Sequence, residues 1–213
     1  MKRTTTPPDL TQEDAVFGKT VTVCGIDEAG RGPWAGPVVA AAVVLDRSTI
    51  PDGLDDSKRL SAVRRATLFD RIMADASVGI GAASVSEIDR LNILRANDLA
   101  MCRAIAVLDP APCVALVDGN RLPPDLPCQG RALVGGDASS LSIAAASIVA
   151  KVTRDRIMAD LAVAYPGYSW ETNQGYGTAA HRAALERLGV TPHHRRSFKP
   201  IHNILCNLGK KLD

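Results

Sequence analysis

Along the first 19 residues apolar and polar positions follow no period, and Pro7-Pro8 interrupts them, so this stretch reads as a flexible arm ahead of one folded unit over 20–213. From Thr20 the pattern changes. TVTVCGID predicts a strand, Ala29 to Pro37 a Gly/Pro loop, and VVAAAVVL over 38–45 a second strand, apolar on both faces and therefore buried on both. A polar turn, PDGLDDSKRL, leads into a helix from Ser61 through Met73, and SVGIGAASVS then alternates as a strand. Ser86 and Asp89 make an S-x-x-D start for a long helix toward Leu108. Short strands follow at VALVD (114–118) and RALVGG (131–136), then an alanine-rich helix over 141–165. A last helix over 178–188 ends at Gly189, in C-cap position. Strands first, then strands alternating with helices, argue for an α/β layered fold with a mixed central sheet and added helices in the last third.

Composition narrows the class. The longest apolar run is the eight-residue strand from Val38 to Leu45, well short of the ~18 residues a membrane span requires. The N-terminus has a basic start with no apolar stretch behind it, unlike a secretory signal, so a cytoplasmic location is expected. Five cysteines, Cys24, Cys102, Cys113, Cys128 and Cys206, are odd in number and widely spaced; they read as reduced and mostly buried. Net charge is only +2, but Thr178 to Asp213 holds seven basic and two acidic residues, which leaves −3 for the rest. A basic tail beside an acidic body suggests an anionic partner docking over carboxylates.

Those carboxylates are visible as strand endings. Asp27 and Glu28 close the first strand ahead of a Gly-x-Gly turn, Asp118 closes VALVD ahead of Gly119, and Asp137 follows RALVGG. In α/β sheets ligands bind where strands end, and adjacent acids there are poor for stability but good for holding a cation. Acids without histidine or cysteine ligands point to Mg²⁺ or Mn²⁺ and phosphoryl chemistry, with nucleic acid as the leading substrate. Successive strand residues point to opposite faces, so Asp27 and Glu28 converge only if the strand ends or bulges there.

Six segments, in order, carry a more specific signal: GIDEAGRGPWAGPVVAAAV (25–43), DSKRLS (56–61), VDGN (117–120), GGDASSLSIAAASIVAKVTRDR (135–156), YPGYSWETNQGYGT (165–178) and HRRSFKP (194–200). In these the chain resembles ribonuclease HII, the type 2 ribonuclease H of bacteria. The resemblance implies a ribonuclease H-like mixed β-sheet flanked by helices, with a helical C-terminal portion. It further implies an endonuclease that cuts the RNA strand of RNA/DNA hybrids and cuts 5′ of a single ribonucleotide in duplex DNA, leaving 3′-hydroxyl and 5′-phosphate. Asp27, Glu28, Asp118 and Asp137 become the ligands of a two-metal site. Gly30, Arg31 and Gly32 are implied to contact the ribose 2′-hydroxyl through backbone atoms, and Tyr176 to pack on the sugar. Lys58 and Arg31 are candidate phosphate contacts, and His194, Arg195, Arg196, Ser197 and Lys199 candidate DNA contacts. A monomer without an obligate protein partner is expected.

Other positions are read without a catalytic role: Arg154 and Asp155 as making structural ion pairs, His181 and His202 as structural or solvent-facing. Trp34 stands where the family usually has a smaller aliphatic, and the final GKKLD lacks the clamp-binding peptide of some relatives. About twenty residues before the first strand, together with Arg31, distinguish the chain from ribonuclease HIII. Two other functions are weighed: a catalytically silent hybrid-binding protein of the same fold, and a Mg²⁺-dependent phosphatase for small phosphoesters, which would not need the basic C-terminal block.

Overall fold

The computed structural model describes residues 6–16 and 21–209. Five strands, β1 (Val23–Ala29), β2 (Val38–Leu45), β3 (Ala76–Ala83), β4 (Val114–Asp118) and β5 (Gln129–Leu133), form one sheet in the order β3-β2-β1-β4-β5. β1, β2 and β3 pair antiparallel, while β4 and β5 run parallel to β1. This is the mixed sheet that the strand pattern predicts. Its parallel half lays the C-terminal ends of β1, β4 and β5 side by side.

β2 shows why an uninterrupted apolar run is needed. Ala40 and Ala42 pack into a core with Ala96, Ala100 and Ala104 of α3 (Val85–Ala106). Ala41 and Val43 face the opposite core, built from Leu68 and Ile72 of α2 (Ala62–Asp75) and from α4 (Leu141–Ala164). α4 lies against β1 at Gly25, where an added Cβ would stand 2.1 Å from the Ser142 backbone carbon. Only a glycine permits that approach. Two short helices, α1 (Thr11–Asp14) and α5 (Trp170–Asn173), join α6 (Ala179–Leu188) and α7 (Lys199–Gly209) to complete the fold. Among the described residues no helix is long and apolar enough to cross a membrane.

The structure differs from the sequence pattern at several places. Within the stretch read as a flexible arm, Glu13 of α1 is buried and accepts hydrogen bonds from Ser140 Oγ (2.6 Å), Ser142 N (2.9 Å) and Ser142 Oγ (2.7 Å). A polar sequence is held there by one buried carboxylate. Residues 1–5 and 17–20 of the arm lie outside the described residues, as do Lys210, Lys211 and Asp213 of the basic tail.

The long helix α3 begins at Ser84, not Ser86, because Ser84 and Glu87 form a reciprocal capping box. It is broken at Asn92 (φ 67°), whose Oδ1 accepts from the backbone N–H of Leu94 and Arg95 and caps the second half. β5 ends at Leu133, and the glycines after it turn the chain into a 3₁₀ turn over Gly136–Ala138. All five cysteines are free, but only Cys24 is buried. Cys113 precedes β4 and Cys206 sits on α7, both exposed.

The Gly25 contact yields a direct check. Gly25→Ala forces α4 away from β1 and is expected to cost about 3 kcal/mol, near the upper end for overpacking, seen as a lower urea midpoint.

Candidate active site

The topology gathers the acids. Asp27 lies on β1, Asp118 is the last residue of the neighbouring parallel strand β4, and Asp137 sits in the 3₁₀ turn just after β5. One carboxylate oxygen from each of the three lies within 4.8 Å of the others. Two of the three are fixed by backbone donors. Glu28 N–H donates to Asp27 Oδ1 at 2.7 Å, and Gly136 N–H to Asp118 Oδ1 at 2.7 Å. Glu28 is outside this group of three oxygens but lines the same cavity as Asp27 and Asp118. β1 keeps an unbroken register with β2 from Gly25 to Ala29, so the alternation of faces is not relieved by a bulge. Glu28 instead pairs with Arg31 at 3.1 Å.

Burial and crowding raise the acids. Asp27, with 6% of its surface exposed, is held well above the usual carboxylate range by burial and then by Glu28, Asp118 and Asp137. Burial also raises Asp118, with Glu28 adding repulsion, and raises Asp137, with Asp118 adding more. Lys58 Nζ lies 3.4 Å from Asp137 and 3.9 Å from Asp56. Partial burial pulls the Lys58 ammonium down, yet Asp56, Asp137 and Asp27 outweigh it and hold it above its ordinary value.

Beside the acids is a cavity of about 320 Å³ whose lining includes Asp27, Glu28, Gly30, Gly32, Lys58 and Tyr176. Tyr176 is half exposed, and its ring comes within 3.4 Å of where a Cβ on Gly32 would stand. The loop that carries Gly30, Arg31 and Gly32 rests on two buried guanidinium groups. Arg154 of α4 donates to the carbonyls of Pro37 (3.1 Å), Gln174 (3.0 Å) and Ala35 (3.1 Å). Arg195 donates to those of Gly36 (2.9 Å), Arg31 (2.9 Å), Gly30 (2.5 Å) and Pro37 (3.1 Å). Gly30 has φ +96°, and a Cβ there would stand 1.9 Å from Arg154 Nε, so this position accepts only glycine.

Neither guanidinium has a carboxylate partner among the described residues. Burial lowers Arg154 to about 10 and Arg195, with Arg154 nearby, to about 9; both stay charged at neutral pH. These placements correct two expectations. Arg154 makes no ion pair among the described residues, whereas Asp155 makes the expected one, with Lys151 at 2.6 Å. Arg195 and His194 are fully buried and do not reach the surface as DNA contacts, because carbonyls and ring nitrogens inside the fold use up their donors. Arg196 is exposed, while its backbone N–H and that of Ser197 donate to Asp89. A signal for Arg154 was present in the sequence: it continues the buried four-residue spacing of Ala150 and Met158 along α4.

A mixed sheet with acids gathered at its parallel end, flanked by helices, defines a ribonuclease H-like nuclease. The solved ribonuclease H2 from Pyrococcus horikoshii OT3 superimposes with a TM-score of 0.74 at 27% identity, covering 89% of this chain and 99% of that one. Two relatives named ribonuclease HII are close in sequence. One, from Paracoccus denitrificans, is 62% identical over 200 residues, covering 93% of this chain and 95% of that protein. The other, from Ruegeria pomeroyi, is 59% identical over 201 residues, covering 94% and 86%. The family model for ribonuclease HII matches residues 24–201. The chain belongs to the ribonuclease HII family and is a ribonuclease H, an endonuclease acting on nucleic acid. That membership excludes the silent hybrid-binding protein and the small-molecule phosphatase.

The raised acids give a pH prediction. A carboxyl with a folded pKa above its unfolded value of about 4 holds its proton more tightly in the folded state, so stability falls as pH rises through that interval. In chelator, Asp27→Asn is expected to gain about 1 kcal/mol or more at pH 7 and to show no gain near pH 3, by urea unfolding. Equal stability of variant and parent at pH 7 would contradict the crowding.

Proposed function

We propose that this chain, through a catalytic unit spanning residues 20–213, cuts the RNA strand of RNA/DNA hybrids. The same site cuts duplex DNA 5′ of a single embedded ribonucleotide, leaving a 3′-hydroxyl and a 5′-phosphate. The observation that carries the proposal is the convergence of Asp27, Asp118 and Asp137 beside a cavity lined by Gly30, Gly32 and Tyr176.

The donor set fits Mg²⁺ or Mn²⁺. It consists of carboxylate oxygens with no histidine or cysteine among them, and the repulsion that raises Asp27 is what a divalent ion offsets. Asp27, Asp118 and Asp137 would hold the ions, with Glu28 beside them. Bound there, the ions supply the charge that activates water and stabilises the leaving 3′-oxygen.

The chain's own groups do the remainder. The backbone of Gly30, Arg31 and Gly32 meets the 2′-hydroxyl, which is both donor and acceptor and separates RNA from DNA. Tyr176 packs on the sugar, an arrangement its half-exposed ring over Gly32 supports. Lys58 and Arg31 offset phosphate charge at the rim, and Arg196 contacts the DNA strand, a role its exposure supports.

Incubation with a duplex holding one ribonucleotide, with and without chelator, followed by mapping of the cut, tests substrate, metal and product ends together. Asp118→Asn and Asp137→Asn are each expected to lower turnover by about 10²-fold or more while the circular dichroism spectrum is unchanged. Normal turnover by either variant would remove that residue from the metal site.

A further inference from the structure

Behind Tyr176 lies a buried pair of histidines with no part in the chemistry above. His181, in the first turn of α6, and His194, in the segment before α7, have no exposed surface. Their hydrogen bonds leave no choice of tautomer. His181 Nδ1 is 2.9 Å from the carbonyl oxygen of Tyr176, which can only accept, so Nδ1 bears the hydrogen. Its Nε2 receives the indole N–H of Trp170 at 3.1 Å, which can only donate, so Nε2 is bare. His194 Nε2, 3.0 Å away, must then donate to the same atom. The chain of bonds ends at His194 Nδ1, which accepts from the Thr191 backbone N–H at 3.0 Å and pairs with the Thr191 hydroxyl at 2.9 Å.

A second proton on His181 would set Nε2–H against two donors at once. Burial agrees, lowering His194 to about 3 and His181 below its ordinary value. The Tyr176 carbonyl also accepts from the Thr178 backbone N–H at 2.8 Å, so His181 adds a side-chain anchor to a backbone one. Gln174 (φ 52°) and Gly175 (φ 81°) both adopt left-handed backbone, and the ring of Tyr176 projects into solvent. The tether is rooted beside Arg195, which holds the other wall of the cavity.

We infer that His181 is a positioning residue for Tyr176: its Nδ1–H, fixed by Trp170 and His194, holds the Tyr176 carbonyl so that the ring meets the ribose at the junction. The inference deepens the proposed function and rests on the role given there to Tyr176. It acts through the backbone of Tyr176, and no atom of His181 reaches the cavity surface.

A double-mutant cycle on single-ribonucleotide cleavage tests it. His181→Leu removes the donor and is expected to lower kcat about tenfold. His181→Asn, whose amide N–H can stand near the Nδ1 position, is expected to recover turnover to within about threefold of the parent. In a Tyr176→Ala background, His181→Leu should cost less than about twofold, since the tethered ring is already gone.

Equal cost of His181→Leu in both backgrounds, or an Asn variant no better than the Leu variant, overturns the positioning role while leaving Tyr176 in place. Normal junction cleavage by Tyr176→Ala overturns the ribose reading itself, and with it the purpose of the tether. Should the Leu variant not fold, His181→Gln takes its place in the cycle, because its longer amide reaches toward Nε2. Imidazole ¹⁵N spectra of the intact protein at pH 7 give an independent readout. Nδ1–H on His181 with Nε2–H on His194 is expected, and the reverse pattern overturns the assignment.

Discussion

Three carboxylates drawn within 4.8 Å of one another repel, and burial of Asp27 removes the water that would soften the repulsion. Nothing in such a group holds it together from within. It persists because each acid belongs to a different piece of rigid backbone. β1 and β4 are bonded neighbours, β5 pairs with β4, and the 3₁₀ turn after β5 brings Asp137 back toward the ends of both. Backbone donors from Glu28 and Gly136 aim two of the three side chains. The sheet core, with β2 buried on both faces, supplies the stability that this acidic corner spends.

A similar logic operates in the loop from Gly30 to Pro37. Two buried cations without a salt bridge among the described residues would ordinarily be costly. Here seven carbonyl contacts take the place of a carboxylate, and the dipoles so recruited belong to Gly30 through Pro37 and to Gln174. The loop therefore owes its shape to side chains distant in sequence, and its glycines Gly30 and Gly32 stay at the cavity wall. Guanidinium suits this task better than ammonium, since its planar fork can satisfy several carbonyls at fixed angles.

Much of this could be seen in the chain before any coordinates. The apolar run of β2 and Asp118 at the end of β4 express local rules of periodicity and chain termination and stand where those rules place them, whereas Asp27 and Glu28 fall inside β1, which runs on to Ala29. The departures share one cause, that they depend on partners far away in sequence. Glu13 looks like an ordinary surface acid until Ser140 and Ser142 meet it, and Arg195 looks like a DNA contact until the Gly30 loop closes over it. The pairing of His181 with His194 has no local signature at all. Glu28 shows an intermediate case: it follows Asp27 on an unbroken strand and lies outside the group of three oxygens, yet it lines the same cavity and repels both Asp27 and Asp118.

α4 adds a mechanical consequence. The helix starts at Leu141, just beyond the turn bearing Asp137, and carries Arg154 roughly 20 Å further along at 1.5 Å per residue. Because Gly25 seats this rod directly on β1, its two ends cannot drift independently. The acidic corner and the Gly30 loop line one cavity, and a displacement of either is passed to the other through the same stiff strut.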